Sequence, residues 1–293
     1  MNNYVCRYCR QPSDAAQPTC PLCGAPVDIR EHVSETGWVE QPPIRDMARL
    51  QFGQSHVQIA GTTVPVAEFS LAPNDWLYFS HHVLLWTDPQ ARLSSMSMRG
   101  GWKRQLAGMP VMMLQAQGPG HLALSDNHAG EVVALPLRHG QHMWVREHRF
   151  LCATGNVAYD WNANDVWYVT GSGDDAETHY PMGQFGDTFT ARDAHGLLLL
   201  HSPGNTFIRD LRPGESLLIQ PSALLYKDVS VRMNIHLEYP RNLGFAFWRS
   251  NWSYRHIWLR LHGPGRVAVQ SVFERPEDSE AITRHSWGTT HHW

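Results

Sequence analysis

The sequence has no long apolar run. Its longest uninterrupted apolar stretches, such as residues 132–135 and 197–200, are only a few residues long, whereas a helix that crosses a membrane needs about 20 residues. The first residues also lack the basic and apolar regions of a signal peptide. We therefore predict a cytoplasmic protein without a transmembrane segment.

An excess of basic charge is missing as well. The formal net charge of the 293 residues is −3 at pH 7, so no global positive field attracts nucleic acid or anionic lipid. There is no Gly-x-Ser-x-Gly motif for a nucleophilic serine, and Asp160, Asp165 and Glu238 have no identifiable paired carboxylate. We predict no catalytic residues and therefore a protein that is not an enzyme.

Cysteine is scarce but concentrated near the start of the chain. Cys6, Cys9, Cys20 and Cys23 form two Cys-x-x-Cys pairs separated by ten residues. Each pair can aim two thiolates at one cation, and four thiolates complete a tetrahedral shell with no open position. We predict a zinc ribbon with one structural Zn²⁺ per chain, with a rubredoxin-like iron site and a redox-active disulfide pair as alternatives. The fifth cysteine, Cys152, lies in an apolar run and is predicted to be a packing residue.

The rest of the chain has the texture of a β protein. After the ribbon, at residues 1–26, we predict a linker at 27–45, a β domain at 46–273 and a flexible tail at 274–293. Within the β domain, short apolar stretches are separated every 8 to 15 residues by Gly, Pro, Asn or Asp. This punctuation is typical of an all-β sandwich or roll.

The β domain also contains an internal repeat. Three segments of sixteen residues align without gaps, namely residues 71–86, 137–152 and 211–226. Each begins with Leu, has Asn or Gly at its fourth position and contains an apolar pair that ends in Leu85, Leu151 or Leu225. The starts are 66 and 74 residues apart. Pro-Gly turns recur at 118–120, 202–204 and 263–265. A multi-strand unit repeated three times is predicted, which gives pseudo-threefold architecture.

Four motifs follow one another in the β domain, at residues 98–104, 117–120, 154–157 and 261–267. Their order and spacing resemble the family named for altered inheritance of mitochondria protein 24, over residues 46 to 273. The resemblance implies a fold similar to that of the trp RNA-binding attenuation protein (TRAP-like). It implies no activity or catalytic residues, because none is established for the bacterial members, while the mitochondrial members are associated with inner-membrane organisation.

Histidine is abundant, with 18 residues. Those inside the repeats are His81, His82, His139, His142 and His148. A cupin-like metal site needs converging histidines, commonly from a His-x-His step, and no such step occurs within the repeats. His82 and His148 occupy equivalent repeat positions, but the third repeat has Ser222 there. A symmetric three-histidine site is therefore not predicted.

One short segment combines an aromatic side chain with basic ones. Arg99, Trp102, Lys103 and Arg104 follow or surround two glycines. Such a segment can contact a partner protein, a membrane surface or RNA, or it can be a connector whose tryptophan plugs the end of the sandwich. We keep it as a candidate interaction surface.

These observations together predict a non-enzymatic zinc-binding scaffold or adaptor. We expect a homo-oligomer that self-associates or docks protein partners. One alternative is an RNA-binding β-roll, by analogy with the fold relative, which stacks bases between the subunits of a ring; the acidic balance and the lack of a basic stripe argue against it. The other alternative is a cupin-like metal-dependent enzyme.

Overall fold

The structure is a computed structural model. It describes residues 3–5, 9, 11–14, 19–25, 38–40, 49–96, 113–170, 176–237 and 257–273. The regular structure of these residues is β-strand, apart from two 3₁₀ turns at His81–Val83 and Pro221–Ala223. The prediction of an all-β fold is confirmed.

Eighteen of the strands form three repeats of one six-strand pattern, whose positions we name a to f in chain order. Repeat 1 consists of β6 (Val66–Leu71), β7 (Trp76–Ser80), β8 (Leu84–Thr87), β9 (Arg92–Met96), β10 (Met113–Gln117) and β11 (Gly120–Leu124). Repeat 2 consists of β12 (Gly130–Leu137), β13 (His142–Arg146), β14 (Phe150–Thr154), β15 (Val157–Ala163), β18 (Phe185–Ala191) and β19 (Gly196–Pro203). Repeat 3 consists of β20 (Thr206–Leu211), β21 (Ser216–Ile219), β22 (Leu224–Asp228), β23 (Arg232–Leu237), β24 (Ile257–His262) and β25 (Gly265–Gln270).

Strand pairing within the repeats is identical. In each of them strand f pairs with a and c, and strand e pairs with b and d, always antiparallel. Each c–f pair also has a β-bulge at the same place, where Leu85, Leu151 or Leu225 has no partner in the register. The three aligned sequence segments fold as the end of a, a turn, b, a connection and c, which confirms the predicted repeat.

The remaining strands extend or decorate this core. They are β1 (Asn3–Val5), β2 (Pro12–Asp14), β3 (Val39–Glu40), β4 (Arg49–Phe52), β5 (Ser55–Ala60), β16 (Tyr168–Thr170) and β17 (Glu177–His179). Strand β3 lies within the predicted linker but pairs with β20, so part of that segment joins the β domain. The predicted tail lies outside the described residues.

Four sheets contain the repeats, and we number them along the molecule. Sheet 1 has the order β4-β5-β6-β11-β8, and sheet 2 has the order β12-β19-β14-β7-β10-β9. Sheet 3 has the order β15-β18-β13-β22-β25-β20-β3, and sheet 4 is β21-β24-β23.

Three apolar cores separate these sheets, so the sheets are stacked face to face. The first core lies between sheets 1 and 2 and includes Phe69 and Phe79. The second lies between sheets 2 and 3, with Tyr78 and Phe189 fully buried. The third lies between sheets 3 and 4 and includes Leu259. Alternate residues of sheet 2, such as Tyr78 and Phe79, face different cores because successive side chains of a strand point to opposite faces.

Two of the three Pro-Gly motifs occupy equivalent positions. Residues 118–120 join β10 to β11 and residues 263–265 join β24 to β25, both between strands e and f. Gly118 and Gly263 lie so close to the a–b turn that an added Cβ would be 2.2 Å from the Ala72 carbonyl oxygen and 2.4 Å from that of Arg212. The third motif, at 202–204, instead joins β19 to β20 between two repeats. It does not belong to the threefold pattern.

Candidate functional site

The cysteine cluster has the geometry of a metal-binding knuckle. The sulfur atoms of Cys9, Cys20 and Cys23 all lie within 4.8 Å of one another, and those of Cys9 and Cys20 are 3.7 Å apart. Two ligands of a tetrahedral zinc ion with bonds of about 2.3 Å lie roughly 3.8 Å apart, so these thiols fit zinc. The Gly24 amide donates to the Cys20 carbonyl at 2.8 Å, and Gly24 has φ of 71°. This closes the turn that brings Cys20 and Cys23 together. Cys6 lies outside the described residues.

The proposed basic and aromatic segment cannot be placed in the same way. Arg99, Trp102, Lys103 and Arg104 lie outside the described residues. Its role stays a prediction.

A cavity of about 540 Å³ brings together histidines from different repeats. It lies at the end of sheet 2, and its lining includes His82, Asp126, His128, His148 and His201. His82 and His148 occupy equivalent repeat positions, and both line this cavity. Ser222, at the third equivalent position, is not part of the lining. Among the described residues, three ligand atoms converge within 4.8 Å only in the cysteine cluster. The cavity is therefore not arranged as a cupin-like metal centre in this conformation.

Asp126 is one of the ionisable residues that line this cavity, and it contacts two of the histidines. Its Oδ2 lies 2.8 Å from Nδ1 of His201, which is only 2% exposed, and 3.2 Å from Nδ1 of His128. The Nε2 of His201 lies 3.1 Å from the carbonyl oxygen of His128. Burial opposes ionisation of Asp126, but its contacts with His201 and His128 outweigh burial and lower its pKa. The cavity can hold a polar ligand, and the sequence did not identify Asp126, His128 or His201.

The pKa of His82 in the same cavity is lowered. Burial is the main cause, and the neighbouring His81 imidazole, whose ring centroid is 5.7 Å away, adds to it. The other repeat histidines lie elsewhere: His139 lines a separate groove, and Nδ1 of the exposed His142 lies 2.9 Å from Oγ1 of Thr190. Cys152 is buried and its pKa is raised by burial, as expected for a packing residue.

Sheets 2 and 3 are each shared by two repeats. In sheet 2, strand c of repeat 2 pairs with strand b of repeat 1, through β14 and β7. In sheet 3, strand c of repeat 3 pairs with strand b of repeat 2, through β22 and β13. Each of these two junctions therefore completes a sheet that one repeat alone leaves half-formed.

Two half-sheets remain at the ends of the stack. Sheet 1 ends at β8, which is strand c of repeat 1, and sheet 4 ends at β21, which is strand b of repeat 3. Within the part of the chain that the structure describes, each of these strands has a neighbour on one side only. No described strand pairs with the backbone groups on the other side of β8 or β21, which gives these edges the character of a site where another strand can add.

Side chains at these two edges are exposed where their repeat equivalents are buried. The bulge residue Leu85 is 57% exposed, whereas Leu151 and Leu225 are 0% exposed. Trp86 is 41% exposed, whereas its equivalents Cys152 and Tyr226 are 2% and 0% exposed.

The same holds on β21. Leu218 is 40% exposed, whereas Tyr78 and Trp144 at the equivalent position are 0% and 8% exposed. Apolar side chains at three equivalent positions are thus covered in both internal junctions and uncovered at the two ends. Sequence comparison of the repeats could have identified these positions as apolar, but not which of them lack a neighbour.

The fold and these surfaces define an all-β protein built from three sandwich repeats with shared sheets. A family model described as "Mitochondrial biogenesis AIM24" matches residues 57–272. The chain belongs to this family, which confirms the resemblance found in its motifs. No helix among the described residues is long and apolar enough to cross a membrane.

A solved structure shares this architecture. The crystal structure of protein SPYM3_0169 from Streptococcus pyogenes superimposes with a TM-score of 0.57 at 19% sequence identity. The similarity covers 80% of this chain and 99% of the other. At this identity the similarity supports the fold alone. No curated protein matches the chain.

Proposed function

We propose that this chain is a non-enzymatic, zinc-binding scaffold that self-associates. The single observation that carries the proposal is the pair of half-sheets at the ends of the stack, with Leu85, Trp86 and Leu218 exposed. Apolar side chains beside an unpaired strand edge are a site for protein association, because association buries the side chains and pairs the backbone.

The zinc part of the proposal rests on the cysteine cluster. Three of the four predicted ligands already lie close enough to share one ion, and Cys6 would supply the fourth thiolate. A fully coordinated zinc would stabilise the short N-terminal segment, which has too few apolar residues to fold alone. The ribbon would then be a separate recognition module beside the assembling β domain.

The experiment is a measurement of absolute mass and metal content on the same sample of full-length protein. Light scattering during size exclusion gives the mass, and elemental mass spectrometry gives zinc per chain. We expect an oligomer with one zinc per chain. A monomer at every concentration tested would refute the scaffold proposal, and a chain without zinc would refute the ribbon.

The two alternative functions predict different properties of the same purified sample. An RNA-binding protein would carry absorbance at nucleic-acid wavelengths that is lost at high salt. A metal-dependent enzyme would hold more than one metal ion per chain, with the second bound at the cavity around Asp126. Either result would replace the scaffold proposal.

A further inference from the structure

The unpaired edges of β8 and β21 are the two halves of a third junction between repeats, of the kind that already occurs twice inside the chain. Both junctions inside the chain join strand c of one repeat to strand b of the repeat before it. Continuing the series beyond repeat 3 requires a strand c to pair with β21. The strand c that has no such partner among the described residues is β8 of repeat 1.

The two existing junctions have the same register, which fixes the register of the next one. In the first junction Cys152 lies opposite Phe79 and Ala153 opposite Tyr78. In the second, Tyr226 lies opposite Val145 and Lys227 opposite Trp144. The sixteen-residue alignment, continued by one residue at its end, makes these pairs equivalent, one for one.

Transferred to the free edges by the same alignment, this register places Trp86 opposite Ile219 and Thr87 opposite Leu218. The pairing would continue with Asp88 opposite Leu217. It would cover the exposed side chains of β8 and β21 in the way that the internal junctions cover their equivalents.

Within the part of the chain that the structure describes, β8 and β21 are not paired with each other, and Trp86 and Leu218 on these strands stay exposed. The three cores of the described residues lie between sheets 1 and 2, 2 and 3, and 3 and 4, and none of them joins sheet 1 to sheet 4. A second copy of the chain can therefore bring its β21 edge to β8.

The composition of the edge strands supports this choice. Natural sheets protect edges that must stay free with charged residues or proline. The other edge strands of these four sheets contain charged residues. Strand β4 has Arg49, β9 has Arg92, β15 has Asp160 and β23 has Arg232. The further edge strands β12 and β3 contain Glu131 and Glu40.

By contrast, β8 has the sequence Leu-Leu-Trp-Thr and β21 has the sequence Ser-Leu-Leu-Ile. Among the edge strands of these four sheets that the structure describes, these two alone contain no charge and no proline. They lack the features that keep an edge unpaired.

We propose that copies of this chain join head to tail, with β8 of one copy pairing antiparallel with β21 of the next. The five-stranded sheet 1 and the three-stranded sheet 4 of the neighbour become one sheet of eight strands. This inference rests on the proposed self-association and adds its surface, partner and register. The contact is heterologous, because each copy uses a different surface on each side.

The test uses two variants of the full-length chain that each gain one cysteine, Thr87→Cys and Leu218→Cys, and the wild-type chain with its five native cysteines is oxidised in parallel. Directly opposed residues of an antiparallel pair have Cα atoms about 4.5 to 5.5 Å apart, which a disulfide can bridge. The two variants are mixed under reducing conditions, allowed to exchange and then oxidised. The matched control replaces Leu218→Cys with Leu217→Cys, because a shift of one residue turns the side chain to the other face.

We expect a disulfide-linked dimer in the mixture of Thr87→Cys and Leu218→Cys, at a yield at least about tenfold above the mixture with Leu217→Cys. Neither variant alone should form it. A dimer of Thr87→Cys with itself would overturn the proposal in favour of a twofold-symmetric contact. An oligomer by light scattering that gives no specific crosslink would overturn the register while leaving self-association intact, and a monomer would refute both.

Discussion

A single lysine at the exposed edge should dissociate the assembly. Trp86 is 41% exposed in the free chain, and its equivalents in the completed junctions are 2% and 0% exposed. Trp86→Lys removes the apolar area that association would bury and places an ammonium group opposite Ile219. Full burial of a large apolar side chain contributes about 1.5 to 3 kcal/mol, and forcing a charge beside an apolar surface costs more. We expect the free energy of association to become less favourable by about 2 to 4 kcal/mol, which raises the dissociation constant roughly 30- to 1,000-fold.

The assay is sedimentation velocity over a range of protein concentrations. Trp167→Lys is the matched control, because Trp167 is 52% exposed and belongs to neither β8 nor β21 but to the connection ahead of β16. Both variants should unfold in urea at the wild-type midpoint, since an exposed side chain contributes little to the monomer fold. Equal dissociation constants for Trp86→Lys and Trp167→Lys would refute the role of β8 as an association edge.

Three further outcomes follow from other parts of the structure. Cys20→Ser should lower zinc from one ion per chain to none while leaving the urea midpoint of the β domain unchanged, as measured by elemental analysis and tryptophan fluorescence. Gly155→Ala places a Cβ 2.0 Å from Cε2 of Trp76 and should destabilise the chain by about 1 to 3 kcal/mol, as measured by urea unfolding. Burial lowers the pKa of Lys227 to about 8, so between pH 8 and 10 the unfolded chain binds more protons than the folded one. Stability should therefore rise by about 2 kcal/mol over that range in urea titrations, and Lys227→Met should abolish the rise.

The repeat could be predicted because its signals are local. A leucine at the end of strand a, a turn residue that tolerates positive φ and an apolar strand follow one another within a few positions. Gly140 and Gly214 indeed have φ of 77° and 80°. Backbone geometry and alternation decide such features, and both can be read from neighbouring residues.

Pairing between repeats was not predictable in that way. Leu85, Leu151 and Leu225 are the same residue at the same bulge, yet the first is exposed and the others are fully buried. Their surroundings depend on which strand lies alongside, and this is decided by contacts far apart in the sequence. The cavity was missed for the same reason, since His201 lies in β19 and Asp126 in the connection between β11 and β12, and only the folded chain brings them together.

Head-to-tail contacts between copies of the chain can build either a ring or a filament. A heterologous contact gives a closed ring if the rotation between copies returns to its start, and an open filament if it does not. An open filament always leaves one β8 edge and one β21 edge exposed, so both would need charges or proline to stop further growth. Neither strand has them, whereas the edges that stay free in either arrangement do. A ring leaves no such edges, and the charge-free sequences of β8 and β21 therefore favour a closed assembly of defined mass.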